Sequence, residues 1–414
     1  MARRSGFYRV LAAEGASNFG SMLSRLAIPW LATLVLDATA WQMALLLVVD
    51  VVAGALGSLW LGALIDARGK RAVMLGADVL RALVLALLAG AAWAQSLTMA
   101  ALLLASAAGA LLTVAFELAR SAWMGQQLAG TDLASHNARL AMATGVSEAA
   151  AFALGGWFYQ WWGAVVALLI DAASYLSSAL CLRGIGETPQ GLVTKAQRPA
   201  WHRLWGDAHE GIAALTSSPT LRGLAVLEAL TSMARSIAGT SYMIFVARDI
   251  GLSTGMQGIV FATGALGALF GAALAPRLGQ HLGPARAMVL GLLLAAIGAA
   301  CVAAVPDAGW LGVGLLVAQQ LIGDSGQTVY EVHDRTLRQT APDAEWLARV
   351  DGGIRSVGQL ATLAGALLGG ALATMAGARS ALVLTAVVLL LASAWALRVR
   401  LPLHRAPESM LLGS

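Results

Sequence analysis

Four polar residues, Gln320, Asp324, Gln327 and Glu331, recur at spacings of four, three and four within an otherwise apolar stretch. That spacing places them on one face of a helix, where amides and carboxyls together could bind a polar ligand or carry a proton. Glu228 and Arg235, seven apart, share a face of a second segment. Two turns separate them, so each is expected to pair with another segment rather than with the other. Glu14, Asn18 and Arg25 punctuate the first apolar segment, with Pro29 expected to kink it, and Asp50 and Glu148 lie inside two more. An ionisable group at the centre of a bilayer costs roughly 2.5–3.5 kcal/mol, so each of these needs a partner or a wet cavity. Two readings stay open. They are contacts to a ligand and to protons, or they are hydrogen bonds and ion pairs that hold helices together, Arg25 with Asp50 among them. Glu14, Asp50, Glu148, Glu228 and Asp324 are the carboxyls that could take up and release a proton. Asp78 with Arg81 and Glu117 with Arg120, at i,i+3 spacing near predicted segment ends, read as local salt bridges.

Other chemistries lack their residues. No nucleophile–base set converges on one segment, and no pair of histidines stands at i,i+4. His333 beside Asp334 has no second histidine at ligand spacing and is expected to be solvated in a cytoplasmic loop. The methionines follow no repeated spacing, and Cys181 and Cys301 sit in or at the end of apolar runs as small packing residues. The pattern therefore implies no metal, no cofactor and no enzyme.

The elements that must position the polar residues follow from composition. Of 414 residues, 58% are hydrophobic and only 12% are charged, against roughly 25% charged in an ordinary soluble domain. Lipid must cover much of the surface. Apolar runs predict spans near 8–36, 41–65, 73–93, 98–120, 139–161 and 164–183, then near 220–247, 256–277, 285–305, 309–331, 349–373 and 379–398. The first is too long and too polar for a cleaved signal and is kept as a span.

With the N-terminus inside, the charges sort by side. Of 27 Lys and Arg, Arg25, Arg81 and Arg235 fall within spans, Arg248 and Arg379 fall outside, and the remaining 22 are cytoplasmic. This bias predicts twelve spans with both termini inside. Trp41, Trp93, Trp161, Trp162 and Trp310 fall at predicted outer boundaries, as an aromatic belt requires. The net charge of +5 is thus a signal of topology and implies no nucleic-acid partner.

A polar stretch at 184–218 divides the chain into a bundle of six spans at 1–183 and another at 219–400, followed by a tail at 401–414. Trp201 and Trp205 with nearby basic residues suit an amphipathic helix on the headgroups. The halves resemble each other weakly. Gly62 to Arg71 closes the second span as Gly271 to Arg277 with Gly283-Pro284-Ala285-Arg286 closes the eighth. Gly267 with Gly271 and Gly365 with Gly369 have the small-x-x-x-small spacing of close helix packing.

The run Gly62 to Arg71 resembles the signature between spans 2 and 3 of the major facilitator superfamily, roughly G-x-L-x-D-R-x-G-R-[RK]. Gly62, Leu64, Asp66, Gly69, Lys70 and Arg71 match, while Ala67 replaces the first basic residue and Arg68 follows it. It misses a phosphate-binding loop, because Arg71 stands where a magnesium-binding Ser or Thr belongs. Asp171-Ala172-Ala173-Ser174-Tyr175 is similar to a D-A-x-S-[FY] run of the drug/proton antiporter branch that contains macrolide-efflux proteins and the enterobactin exporter. Ala77 to Ala82 and Gln339 to Asp343 with Arg349-Val350 resemble that branch as well.

The resemblance implies an all-α polytopic membrane protein of 12 transmembrane helices, two six-helix bundles in pseudo-twofold parallel repeat, with spans 1, 4, 7 and 10 lining a central cavity. It implies that Asp66 with Arg68, Lys70 and Arg71 latches the cytoplasmic side, with Asp78 and Arg120 as further members. The expected activity is secondary active transport across a bacterial-type inner membrane. A drug-like or siderophore-like amphipathic molecule would leave in exchange for protons as the halves rock. The expected partners are a small-molecule substrate, protons and membrane lipids, with the chain acting as a monomer. One departure, Ala151-Phe152 where the antiporter motif has Gly-Pro before Gly155-Gly156, leaves open a lipid or lysophospholipid flippase or a siderophore importer.

Overall fold

The structure is a computed structural model that describes residues 2–127, 133–186, 218–340 and 347–398. Among them every regular element is helical and none is a strand. The first five are α1 (Ala2–Trp30), α2 (Ala40–Arg68), α3 (Lys70–Trp93), α4 (Met99–Gln127) and α5 (Leu133–Leu182). Then come α6 (Pro219–Ile244), α7 (Thr254–Leu282), α8 (Pro284–Ala303), α9 (Trp310–Ala318), α10 (Asp324–Thr340), α11 (Leu347–Ala376) and α12 (Ala378–Arg398). Five-residue π turns extend α1 (Leu31–Val35) and α6 (Phe245–Asp249) and join α9 to α10 (Gln319–Gly323).

Among the described residues eight helices are long and apolar enough to cross a membrane, which makes this a multi-pass membrane protein. The helices outside that set, α1, α6, α9 and α10, carry most of the polar residues singled out above. The apolar stretch of α5 runs 41 residues, Met142–Leu182, about twice what one crossing needs. Gly163, at φ 74° and ψ 178°, breaks it into two legs, at the boundary predicted between 161 and 164. A side chain at that φ would be strained, so glycine sets the break.

Left-handed backbone recurs with a fixed offset. Gly69 (φ 85°) precedes α3 as Gly283 (φ 81°) precedes α8, and Gly163 divides α5 as Gly377 (φ 86°) separates α11 from α12. Asp37 (φ 51°) and Gly251 (φ 73°) each follow a π turn. The members of every pair, 69 and 283, 163 and 377, 37 and 251, are 214 positions apart. Each half of the chain thus bends at the same places. At the same offset Glu14 matches Glu228 and Glu117 matches Glu331.

Contacts divide the chain into two compact units: residues 1–202 with 243–262, and residues 203–242 with 263–414. In unit 1, α1 packs along α5, α2 along α4, and α3 against α4 and α5. Phe7, Val10, Met74, Phe116, Trp123 and Leu182 belong to one apolar core there. Gly155 and Gly156, singled out by the antiporter motif, are packing glycines there: the first abuts Leu23 and Leu26, the second the backbone of Gly258. In unit 2, α8 packs against α10 and α12, and Leu224, Met288, Leu292, Tyr330 and Ile354 form the core. The helix expected within the linker and the tail from 401 lie outside the described residues.

The small-residue pairs are contact points in unit 2. A Cβ at Gly271 would stand 2.8 Å from Ser325 Cα, and one at Gly365 would stand 2.9 Å from Met233 Cα. Gly271→Leu and Gly365→Leu are each expected to cost at least the roughly 1–3 kcal/mol typical of overpacking. A fall in the thermal midpoint in detergent checks this, and an unchanged midpoint would show the contacts to be loose.

Candidate functional site

Each unit holds a cavity of its own, lined by ionisable side chains among apolar ones. The larger, about 500 Å³, lies among α1, α2, α3, α4 and the second leg of α5. Of the residues expected from sequence, Glu14, Asn18, Arg25 and Asp50 line it. Arg25 and Asp50 share the cavity, are both exposed, and form no ion pair, so of the two readings left open the structural pair is not formed. Asn18 serves packing as well, since its amide donates to the Thr144 carbonyl across α1 and α5 at 2.9 Å. Glu148 is half-buried and lines neither cavity.

Of the two local salt bridges expected from spacing, one forms and one does not. Arg120 does not pair with Glu117 three residues away; it pairs with Glu14 on α1. Glu117 instead lines the cavity. Packing α1 beside α4 brings a second carboxyl to the guanidinium, and spacing within α4 cannot foresee it. Asp78 and Arg81 do pair, at 2.5 Å, yet the pair is buried in the core, with Asp78 0% and Arg81 6% exposed. Ser178 Oγ donates to Asp78 at 2.7 Å. The Arg81 guanidinium lies 4.7 Å from the ring centre of Phe116 and 4.2 Å from that of Tyr175, a cation held between two aromatic faces. Tyr175 OH and Ser21 Oγ share a hydrogen bond of 2.7 Å. Asp171, beside them, is 1% exposed and lines the cavity. Sequence reasoning had Asp171 and Tyr175 only as a family-like run; their signal was an acid inside an apolar span.

The second cavity, about 250 Å³, lies in unit 2 and is lined by Arg235, Tyr242, Gln319, Asp324 and Gln327 among others. Here the predicted stripe is corrected. The π turn Gln319–Gly323 adds a residue to the helix turn, and one residue rotates the face by about 100°. Gln319, not Gln320, therefore lines the cavity beside Asp324 and Gln327, while Gln320 is buried against Gly264, which the Asp324 carboxylate also reaches. Glu331 accepts from Gln327 Nε2 at 3.1 Å and pairs with Arg235 at 3.4 Å.

Below the cavity, Arg338 bridges two carboxyls, Glu228 on α6 and Asp334 on its own helix, each at 2.6 Å. Glu228 and Arg235 thus pair with another helix, as their spacing suggested. His333 is not in a solvated loop. α10 continues to Thr340, so the ring is buried and meets the Ala275 carbonyl at 3.0 Å.

Of the expected latch, Gly62, Asp66 and Arg68 lie outside the residues whose side chains are described. Gly69 makes the turn, Lys70 is buried, and Arg71 donates to the Arg183 carbonyl. Among the described residues no group of three His, Cys, Asp or Glu could hold a metal ion.

Residues 224–411 match the model of the Major Facilitator Superfamily. Over 224 residues the chain is 29% identical to an uncharacterized MFS-type transporter, y4rN, of Sinorhizobium fredii; the match covers 54% of this chain and 53% of the relative. The chain thus spans about half the length of that curated relative. Solved structures match along nearly the whole chain. The nucleoside transporter NupG superposes with a TM-score of 0.75 at 14% identity, over 96% of this chain and 99% of its own. A bacterial homologue of the iron transporter ferroportin, inward-facing, gives 0.76 at 16% identity, over 95% and 98%. A bacterial homologue of the human lysosomal transporter Spinster gives 0.69 at 15%, over 98% and 99%. At these identities the likeness establishes a shared fold. The matched proteins are transporters, not enzymes.

Proposed function

We propose that this chain is a secondary active transporter of the major facilitator superfamily in a bacterial-type inner membrane. Its cargo is an amphipathic small organic molecule of drug or siderophore type, exported in exchange for protons. Twelve crossings follow if α5 is two spans and α1, α6 and the α9–α10 segment are three polar ones. The positive-inside charge bias then puts both termini and the linker in the cytoplasm. The observation that carries the reading is one cavity in each half, where ionisable groups stand among apolar side chains. Unpaired charge in such a place suits binding and release rather than packing. Alternating access by rocking of the halves, with the chain a monomer, completes the proposal.

Purified protein in proteoliposomes under an imposed pH gradient tests it. Saturable, gradient-driven movement of an amphipathic dye, with proton movement in the opposite direction, is the expected result. Equal growth of a deletion strain and an overproducer across drugs, siderophores and detergents would remove the drug-export reading. Ala151-Phe152, in place of the antiporter Gly-Pro, favours a second reading, a lipid or lysophospholipid flippase or a siderophore importer. Vesicle assays with labelled lipid or ferric siderophore would separate these.

A further inference from the structure

The two cavities occupy equivalent places in their units but differ in charge. Ser17, Ser24, Arg81, Thr113, Asp171 and Tyr175 line the first. At an offset of 214, Thr231, Ala238, Ala295, Gln327, Thr385 and Leu389 line the second. Asp78, Arg81, Asp171 and Tyr175 therefore stand where unit 2 has Leu292, Ala295, Thr385 and Leu389, all four of them buried. Unit 2 closes the same helix packing with no charge at these positions. The charged group in unit 1 is an addition that the fold does not require.

Its charges do not balance as drawn. Two buried carboxyls share one buried guanidinium. With both ionised, the surplus negative charge would sit in a low-dielectric core, where a group takes up a proton instead. Geometry decides which carboxyl holds it. Asp78 has the direct ion pair and the Ser178 hydroxyl. Asp171 receives Ser174 Oγ at 3.2 Å, with Ser24 facing it from α1, and forms no ion pair. The other charged groups of the surrounding helices do not compensate it. Arg120 is taken by Glu14, Arg25 acts on Asp50, and Asp50 and Glu117 add negative charge. Tyr175, on its own leg, is turned to Ser21.

We propose that Asp171 is a protonated carboxylic acid that exchanges its proton with the adjoining cavity, and that Arg81 turns from Asp78 to Asp171 when the proton leaves. The carboxyl O–H bond breaks, the proton passes to cavity water, and the new carboxylate accepts from the guanidinium; Asp78 then keeps only the Ser178 hydroxyl, and the surplus negative charge draws a proton back from the cavity. Arg81 Nε is buried without a hydrogen-bond partner, so a donor is in reserve for that step. Gly20 of α1 leaves room for the acid, since a Cβ there would stand 2.6 Å from Asp171 Oδ1. A place for this proton in coupled transport rests on the proposed function; the proton itself does not.

Infrared difference spectroscopy of the purified full chain at neutral pH reads the proton without any cargo. The expected spectrum has a protonated-carboxyl band that shifts in D2O and is lost in Asp171→Asn. Asp78→Asn, which frees Arg81 for Asp171, is expected to lose the same band although Asp171 remains. The fourfold variant Asp78→Leu, Arg81→Ala, Asp171→Thr, Tyr175→Leu copies unit 2 and is expected to fold without the band. A spectrum unchanged by Asp171→Asn overturns the proposal. So does a band that resists D2O or survives Asp78→Asn, and so does a fourfold variant that fails to fold. Because no cargo is added, a missing band refutes the proton site and leaves the transport reading in place. A failed transport assay does the reverse.

Discussion

Arg338→Ala is expected to destabilise the protein by about 3–5 kcal/mol, seen as a large fall in its thermal midpoint in detergent. The side chain sits between Glu228 and Asp334 at 2.6 Å from each, and all three are largely buried. Removing the guanidinium strands two carboxyls in the core of unit 2 with no cation between them. The loss is therefore the penalty of uncompensated burial more than the worth of either bond. That origin makes a further prediction: adding Glu228→Gln and Asp334→Asn to Arg338→Ala should recover most of the midpoint. An Arg338→Ala variant as stable as the native chain would mean that the trio is solvated and that α6 is held to α10 by apolar contact alone.

Asp324→Asn is expected to show the opposite signature, with gradient-driven transport abolished and the thermal midpoint unchanged or raised. Asp324 lines the unit 2 cavity and has no ion pair among the described residues. Its carboxylate therefore contributes nothing to packing that an amide of the same shape would lose. Asparagine keeps the hydrogen-bonding edge but cannot take up a proton, so the substitution separates binding from coupling. Proteoliposomes carrying Asp324→Asn should still bind cargo and exchange it down its own gradient, without response to pH. Transport that still follows the pH gradient in this variant would remove Asp324 from the coupling path.

The contrast between these residues marks how far sequence reading reached. Hydropathy located the apolar helices, because the need to satisfy the backbone in lipid leaves little choice of structure. The break near 162 was visible for the same reason, since one crossing cannot hold 41 apolar residues. Periodicity also found Asp324 and Gln327 as cavity residues. It failed one turn earlier, at Gln319, because a π turn leaves no mark in residue spacing.

Partners were harder. Glu117 and Arg120 read as a pair because they are neighbours on one helix, yet Arg120 took Glu14 from α1. Asp171 was visible only within a family-like run, though it is among the most deeply buried acids described.

By itself the sequence determined the helices, their apolar lengths and the cost of each intramembrane charge. These depend on residue type and local order, which transfer free energies and helical geometry translate directly. Tertiary structure alone decided which charges meet across helices. It gave Arg120 to Glu14 and Arg338 to Glu228, and it left Asp171 and Asp324 in their cavities without an ion pair among the described residues. A guanidinium responds to the carboxyls within a few ångströms, and those are chosen by which helices pack, not by distance along the chain.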